Sequence, residues 1–356
     1  MSQPLPLDVK NAWEAQTLTH DRPLLCGACS PCGRYVVAGA QDENLLRWEL
    51  ASGEKRVLAG HTSWVQAVAF HPDRERLLAG DLHGVLRCWR ITAAEPTVSW
   101  SVEQAHPWVQ AIAATPDGQS WITAGTDGLI RQWNADTGAA VGEFTGHDTE
   151  VYSLAVHPEG KLLLSGDLRG RIHVWDLATR QRLRTLDAQP LHTRKEDFLA
   201  DVGGVRSLAI RGDGTQVSAG GMTDAESNTF CPGKPAVLVF DFASGQLVRT
   251  LRLREKSDGP IKGLAYLGND VLAAQAEHLN GTSSLEFFAA VTGESLHSIK
   301  RESGYTLSLH PDGARLAVAG FVNRGRGGNG RHAKPEEYVT HAGAVTLYRL
   351  DGKKPA

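Results

Sequence analysis

The chain of 356 residues carries 37 Lys and Arg against 40 Asp and Glu, a formal net charge of −3, with 41% hydrophobic and 22% charged residues. This balance gives no sign of a nucleic-acid or membrane-surface protein and describes a globular chain long enough to bury a large core. Five cysteines, an odd count, argue against a disulfide framework and for a reducing, cytoplasmic setting.

In chain order, residues 1–11 read as an N-terminal tail, with no basic region followed by an apolar run. No later stretch offers about 18 uninterrupted apolar residues, so neither a leader nor a membrane span is expected. Residues 12–20, AWEAQTLTH, read as a strand ending in a histidine. LLCGACSPCG then places Cys26, Cys29 and Cys32 three residues apart, a spacing used by zinc and iron–sulfur loops. The copies that follow change that reading. VQAVAFHPDRERLLAGDLHGVLRCWR from Val65, VQAIAATPDGQSWITAGTDGLIRQWN from Val109 and VYSLAVHPEGKLLLSGDLRGRIHVWD from Val151 are one pattern repeated. Weaker copies begin near 24, 205, 261 and 305, making seven units.

Each unit has one grammar: an alternating strand, a Pro-Asp-Gly-type turn, a second strand, a Gly-rich turn, a third strand ending on an aromatic residue, and a Ser-Gly or Thr-Gly turn into a fourth. The seventh unit stops after its third strand, AVTLYRL at 344–350, leaving 351–356 as a C-terminal tail. Residues 12–20 supply the missing strand if they pair beside it, and the expected domain is therefore one closed ring over 12–350. In the alignment Cys26 falls at a position of small residues, Cys29 at an apolar one three residues along the same strand, and Cys32 in the turn. Sulfurs at the first two positions point to opposite sheet faces, so no metal site is expected.

The residues Gly60-His61, Gly146-His147, Pro116-Asp117-Gly118, Thr126-Asp127-Gly128 and Trp175-Asp176 carry a resemblance to the WD-repeat family, over nearly the whole chain. The resemblance implies an all-β fold, a seven-bladed propeller of four-stranded antiparallel blades closed by the N-terminal strand. It also implies a structural His–Ser/Thr–Asp–Trp tetrad, complete in the third unit as His106, Thr123, Asp127 and Trp133. The other units read as degraded, with Ala38, with Ala79 and His83, and with Arg169 at tetrad positions; Phe240, Phe288 and Tyr348 replace Trp in the last three.

The position after the first-strand valine collects Leu25, Gln66, Gln110, Tyr152, Arg206, Lys262 and Tyr305, which the resemblance puts around the channel mouth. Trp64 and Trp108 adjoin it. Lengthened segments at 189–204, 221–236, 276–283 and 321–343 elaborate one sector, and the last includes Arg324, Arg326, Arg331 and Lys334 among glycines. The expected function is a non-catalytic scaffold binding a protein or peptide through these residues, with no cofactor, metal or membrane partner. The alternatives are nucleic-acid or small-ligand binding by the basic Gly-rich loop and, further off, a propeller enzyme. Against the last, the chain lacks a Gly-x-Ser-x-Gly elbow, a phosphate-binding Gly-Lys-Ser/Thr loop and a His-Glu-x-x-His motif.

Overall fold

A strand with a period of two sends alternate side chains to opposite sheet faces, and where both sets are apolar each face needs a cover. In the computed structural model, which describes residues 7–226, 232–253, 258–278, 282–302, 304–322 and 341–354, the cover is the neighbouring sheet. Seven four-stranded antiparallel sheets form the blades of a propeller, and no α-helix occurs among the described residues. Blade 1 runs from the axis outward as Leu24–Cys29, Tyr35–Ala40, Leu45–Glu49 and Lys55–Leu58. Blades 2 to 6 open with Val65–Phe70, Val109–Ala114, Val151–Val156, Ser207–Ile210 and Ile261–Leu267.

The second strand of blade 1 is buried along its whole length. Its Tyr35 and Val37 pack with Val65, Leu77 and Ala79 of blade 2. Its Val36 and Ala38 pack the other way, with Ala317, Ala319 and Val345 of blade 7. The same division recurs at every seam, so the core is seven separate clusters between blades. Near the axis the blades approach so closely that a Cβ on Gly80 would lie 2.5 Å from Val109 Cγ1. That contact explains the glycine in the repeated Ala-Gly and Ser-Gly pairs of the second strand.

Ring closure is made by Trp13–His20, which pairs antiparallel with Ala342–Arg349 in a register that sets Leu18 opposite Val345 and His20 opposite Gly343. It is the outermost strand of a sheet that continues inward through Arg315–Val322 and Thr306–Leu309. Leu18 is buried in the seam between blades 7 and 1, and Tyr348 Oη donates to Glu14 at 2.9 Å. Residues 7–11 are not a loose tail: Asp8 N donates to Leu350 O, Val9–Asn11 forms a 3-10 turn, and Val9 is buried against Leu267 and Tyr348.

The segment at 189–204 folds as a small hairpin, His192–Lys195 with Ala200–Gly203, packed on Met222 and Ala225 of blade 5. Part of the extra length at 221–236 and 276–283 goes into longer strands, Gln216–Thr223 and Lys234–Asp241 in blade 5, Val271–Glu277 and Thr282–Ala289 in blade 6. Arg324, Arg326, Arg331 and Lys334 lie outside the described residues.

Removing residues 1–20 strips the outer strand from blade 7 and exposes the seam that Leu18 fills. Thermal unfolding of that truncation is expected to give a sharply lower Tm, and Leu18→Ala alone to cost about 2–5 kcal/mol. A truncation that melts with the intact protein would contradict closure by this strand.

Candidate functional site

Buried histidine, aspartate and serine are the first chemistry to test. In blade 3, His106 Nε2 lies 2.8 Å from Thr123 Oγ1, Trp133 Nε1 donates to the same oxygen at 2.8 Å, and His106 Nδ1 lies 3.0 Å from Asp127. Blade 4 repeats the arrangement with a different aspartate. His147 Nε2 is 2.7 Å from Ser165 Oγ, Trp175 Nε1 donates to Ser165 Oγ at 2.8 Å, and His147 Nδ1 is 2.8 Å from Asp167 Oδ2. Sequence alignment pointed to Arg169 at the acid position and so read the set as degraded. The carboxylate comes instead from the last residue of the second strand. Blade 2 does the same, with His61 Nδ1 3.0 Å from Asp81 Oδ2 where His83 was expected to leave the set incomplete.

Ser165, His147 and Asp167 reproduce the connectivity of a hydrolytic triad, in which the histidine takes the serine proton and the aspartate holds the histidine. Access decides against that use. The side chains of His147 and Asp167 are fully covered, Ser165 is fully buried, and the indole N–H of Trp175 occupies the serine oxygen. The chain indole to hydroxyl to imidazole to carboxylate satisfies each buried polar group with its neighbour, which is a structural role. Blade 2 has Ala79 in the hydroxyl position, and there Trp89 Nε1 and His61 Nε2 are buried without a partner. One ring in blade 4 is under charge stress. His173 stacks on His147 at a centroid distance of 4.1 Å and lies 3.2 Å from Arg182, and burial together with those two neighbours pushes its pKa down from 6.5 to about 4.

The cysteine triplet is dispersed. Cys26 is buried in the seam with blade 2 and Cys29 in the seam with blade 7, while Cys32 is exposed in the turn. Burial pushes both buried thiols up to about 12, which keeps them protonated and poor metal ligands. No cluster with metal-ligand geometry occurs among the described residues.

At the channel mouth, Leu25, Gln66, Gln110, Tyr152, Arg206, Lys262 and Tyr305 line one cavity of about 280 Å³. Five of them are the second residue of their blade's inner strand, and Arg206 and Tyr305 stand immediately before Ser207 and Thr306, where the other two begin, so all seven reach the same cavity. Neighbours pair across the seams. The Arg206 guanidinium sits 3.8 Å above the Tyr152 ring and Lys262 Nζ lies 4.4 Å from the Tyr305 ring centre. Arg206 also donates to Gly203 O at 2.7 Å, and Lys262 pairs with Glu277 at 2.6 Å. Burial raises the pKa of Tyr152, whose hydroxyl donates to Glu150 at 3.0 Å. Gln66 and Gln110 face each other at 3.5 Å.

Trp64 and Trp108 stand just outside this ring. Their carbonyls are tied into the fold, accepting from Leu82 N and Thr126 N, but their side chains are left open, at 45% and 51% exposure. Sequence spacing picked out the seven residues that line this cavity. It did not find the two cation–aromatic pairs, which depend on contacts between adjacent blades.

The fold is a seven-bladed β-propeller, closed by its first strand and joined by buried seams. Residues 53–90, 99–134 and 138–176 match the family described as WD domain, G-beta repeat. Each match begins at or near the outer strand of one blade and ends with the third strand of the next, so the chain carries WD repeats, which supply the inner three strands of blades 2 to 4 and the outer strands of blades 1 to 3. Nuclear distribution protein PAC1 of Tuber melanosporum (strain Mel28) is 31% identical over 72 residues, 20% of this chain and 16% of that protein. Mitochondrial division protein 1 of Saccharomyces cerevisiae (strain ATCC 204508 / S288c) is 24% identical over 236 residues, 66% of this chain and 29% of that protein. The alignments thus span less than a third of either relative.

Two outcomes follow from the tetrads. Ser165→Ala should cost about 1–3 kcal/mol by orphaning His147 and Trp175, while Ala79→Ser should stabilise by about 1 kcal/mol by giving Trp89 and His61 their missing partner, both read by chemical denaturation. The pH profile tests His173. The unfolded chain takes up this proton near pH 6.5 and the folded one only near pH 4. Stability should therefore fall as pH drops through that window, by up to about 3 kcal/mol, and His173→Gln should flatten the profile.

Proposed function

We infer that the protein is a non-catalytic scaffold that binds a protein or peptide partner on its channel-mouth face. The observation that carries this reading is the pair of half-exposed tryptophans, Trp64 and Trp108, beside the cavity ringed by Gln66, Gln110, Tyr152, Arg206, Lys262 and Tyr305. Large rigid aromatics and arginine give the most contact area for the least lost entropy, and a mixed polar and aromatic rim around a concave centre is the anatomy of an interface. The hairpin at 192–203 adds to the same sector, with Leu199 exposed at its tip.

A binding role accords with the WD repeats. The basic loop containing Arg324, Arg326, Arg331 and Lys334 belongs to the proposed partner surface as an expectation from sequence. A reducing, cytoplasmic location is part of the same proposal, supported by the free thiols Cys26, Cys29, Cys32 and Cys88. Among the described residues, no helix is long and apolar enough to cross a membrane.

The test is capture from native lysate with the wild type, Trp64→Ala/Trp108→Ala, and a variant of matched stability changed on the outer strands. The double variant should keep its Tm and lose the partner, with at least tenfold weaker binding once the partner is purified. Retention of every partner by the tryptophan variant and loss by the outer-strand variant would place the interface elsewhere.

A further inference from the structure

The inner strand of each blade runs from the channel-mouth face to the opposite face and ends there at the first turn of the repeat. At that turn a histidine latches three of the blades to the next, while blades 1, 5 and 6 have Ser30, Arg211 and Leu267 at the position. His71 of blade 2 donates from Nε2 to Gly118 O of blade 3 at 2.8 Å, His157 of blade 4 to Gly214 O of blade 5 at 3.2 Å, and His310 of blade 7 to Gly33 O of blade 1 at 2.9 Å. In each the Nδ1 atom accepts a backbone N–H two residues on, which holds the ring in place. Blades 2 and 7 add an arginine. Arg76 packs its guanidinium on His71, pairs with Asp73 at 2.6 Å, and reaches into blade 3 to Ala135 O at 2.9 Å and Asp136 at 2.7 Å. Arg315 pairs with Asp312 and packs on His310 in the same way.

Blade 3 breaks both positions. Thr115 stands where His71 and His310 stand, and Ser120 where Arg76 and Arg315 stand. The result is a cavity of about 460 Å³ between blades 3 and 4, lined by Thr115, Asp117, Ser120, Gln132, Gly160 and Asp176, with Leu177 and the exposed Lys161 also at its wall. The glycines register the vacancy. A Cβ on Gly118 or Gly214 would lie within 2.8 Å of a latch histidine, whereas on Gly160 it would meet nothing closer than Pro116 at 3.6 Å.

The two short side chains are bonded within blade 3, Ser120 Oγ accepting from Gln132 Nε2 at 2.9 Å. Thr115 Oγ1 donates to Asp117 Oδ1 at 2.6 Å and Ser120 N donates back to Thr115 Oγ1 at 3.0 Å. What is left facing the cavity is the acceptor set that a latch would have used. Gly160 O corresponds to Gly118 O, and Leu177 O to Ala135 O. Asp117 corresponds to Asp73, while Ala178 stands where Asp136 does; Asp117 Oδ1 accepts from Thr115 Oγ1 and Gln119 N and Asp176 Oδ1 from Thr179 N and Oγ1, which leaves Oδ2 of each carboxylate for a ligand.

We propose that the cavity between blades 3 and 4 is a binding site for a guanidinium group, the side chain of an arginine or a small guanidino compound. The seam between blades 2 and 3 is the template: there the same frame holds the chain's own guanidinium through a carboxylate and a carbonyl, with a flat ring beneath it. A planar cation with several N–H donors matches two carbonyls and two carboxylates, and a single ammonium cannot span them. Two cations of the chain stand near the site, Lys161 at the rim and Arg180, which donates to Gln132 Oε1 at 3.2 Å, so an incoming guanidinium relies on direct bonds to Asp117, Asp176 and the two carbonyls rather than on an excess of negative charge. This site is on the face opposite the channel mouth and stands independently of the partner surface proposed above.

The test is titration of the full-length protein at constant ionic strength with ethylguanidinium, N-acetyl-arginine methylamide and, as controls, ethylammonium and N-acetyl-lysine methylamide, read by thermal shift and by NMR. Guanidinium compounds should bind in the millimolar range at least fivefold tighter than the ammonium controls. Binding by both guanidinium probes assigns the site to the group alone, and binding by the arginine derivative only assigns it to arginine in a chain. Thr115→His/Ser120→Arg should fill the cavity from within, raise Tm and abolish binding. If that variant does not fold, Asp117→Asn/Asp176→Asn should weaken binding at least fivefold without filling the space. Equal affinity for ammonium and guanidinium, no binding at tens of millimolar, or binding unchanged in the variants would overturn the assignment.

Discussion

Each blade is covered on both faces only by its neighbours, and everything else in this molecule follows from that. A strand such as Tyr35–Ala40, buried at all six positions, divides its side chains between two seams and has no stable form in an isolated sheet. The first and last blades can meet that condition only by facing each other. Closing the ring with Trp13–His20 does so and also removes the open sheet edge that Ala342–Arg349 would present. Close approach near the axis then demands small residues on the second strands, and the turns on the face opposite the mouth carry His71, His157 and His310 as bonds from one blade to the next.

The buried polar sets show how far access, as distinct from connectivity, decides chemistry. His147, Ser165 and Asp167 have the distances of a catalytic apparatus, yet the serine oxygen is held by Trp175 and no substrate can reach it. What the arrangement achieves is satisfaction of polar groups in a low-dielectric seam, where an orphan is costly. Blade 2 lacks the hydroxyl and has orphans; blades 3 and 4 have it and do not at those atoms.

Because the seams are so consistently filled, departures from the repeat stand out. Trp48, Trp121 and Trp175 are buried, whereas Trp64 and Trp108 are held open. A seam closed by histidine and arginine in blades 2 and 7 is open where blade 3 has threonine and serine. The proposed partner surface and the proposed guanidinium site are built on these two departures.

Much of this was legible in the sequence. Strand periodicity, glycine turns and the recurrence of one pattern specify seven four-stranded units, because those signals are local and repeated. One equivalent position of each repeat, at the start of the inner strand, picks out the seven side chains that line the mouth cavity for the same reason: a repeated fold puts equivalent residues at equivalent heights. Alignment also dispersed Cys26, Cys29 and Cys32, since residues three apart on a strand face opposite seams. Tertiary structure alone decided the rest. Asp81 and Asp167, two positions before the aligned acid, meet the histidines from the end of the second strand, where blade 3 has Gly125 and bonds its histidine from the turn through Asp127 instead. The hairpin at 192–203 depends on packing against Met222 and Ala225, the pairs Arg206–Tyr152 and Lys262–Tyr305 on contacts between blades, and the cavity beside Thr115 on what the next blade fails to place there. Each is a contact between segments distant in sequence, and the pattern within one repeat carries no record of which atoms of its neighbour it will face.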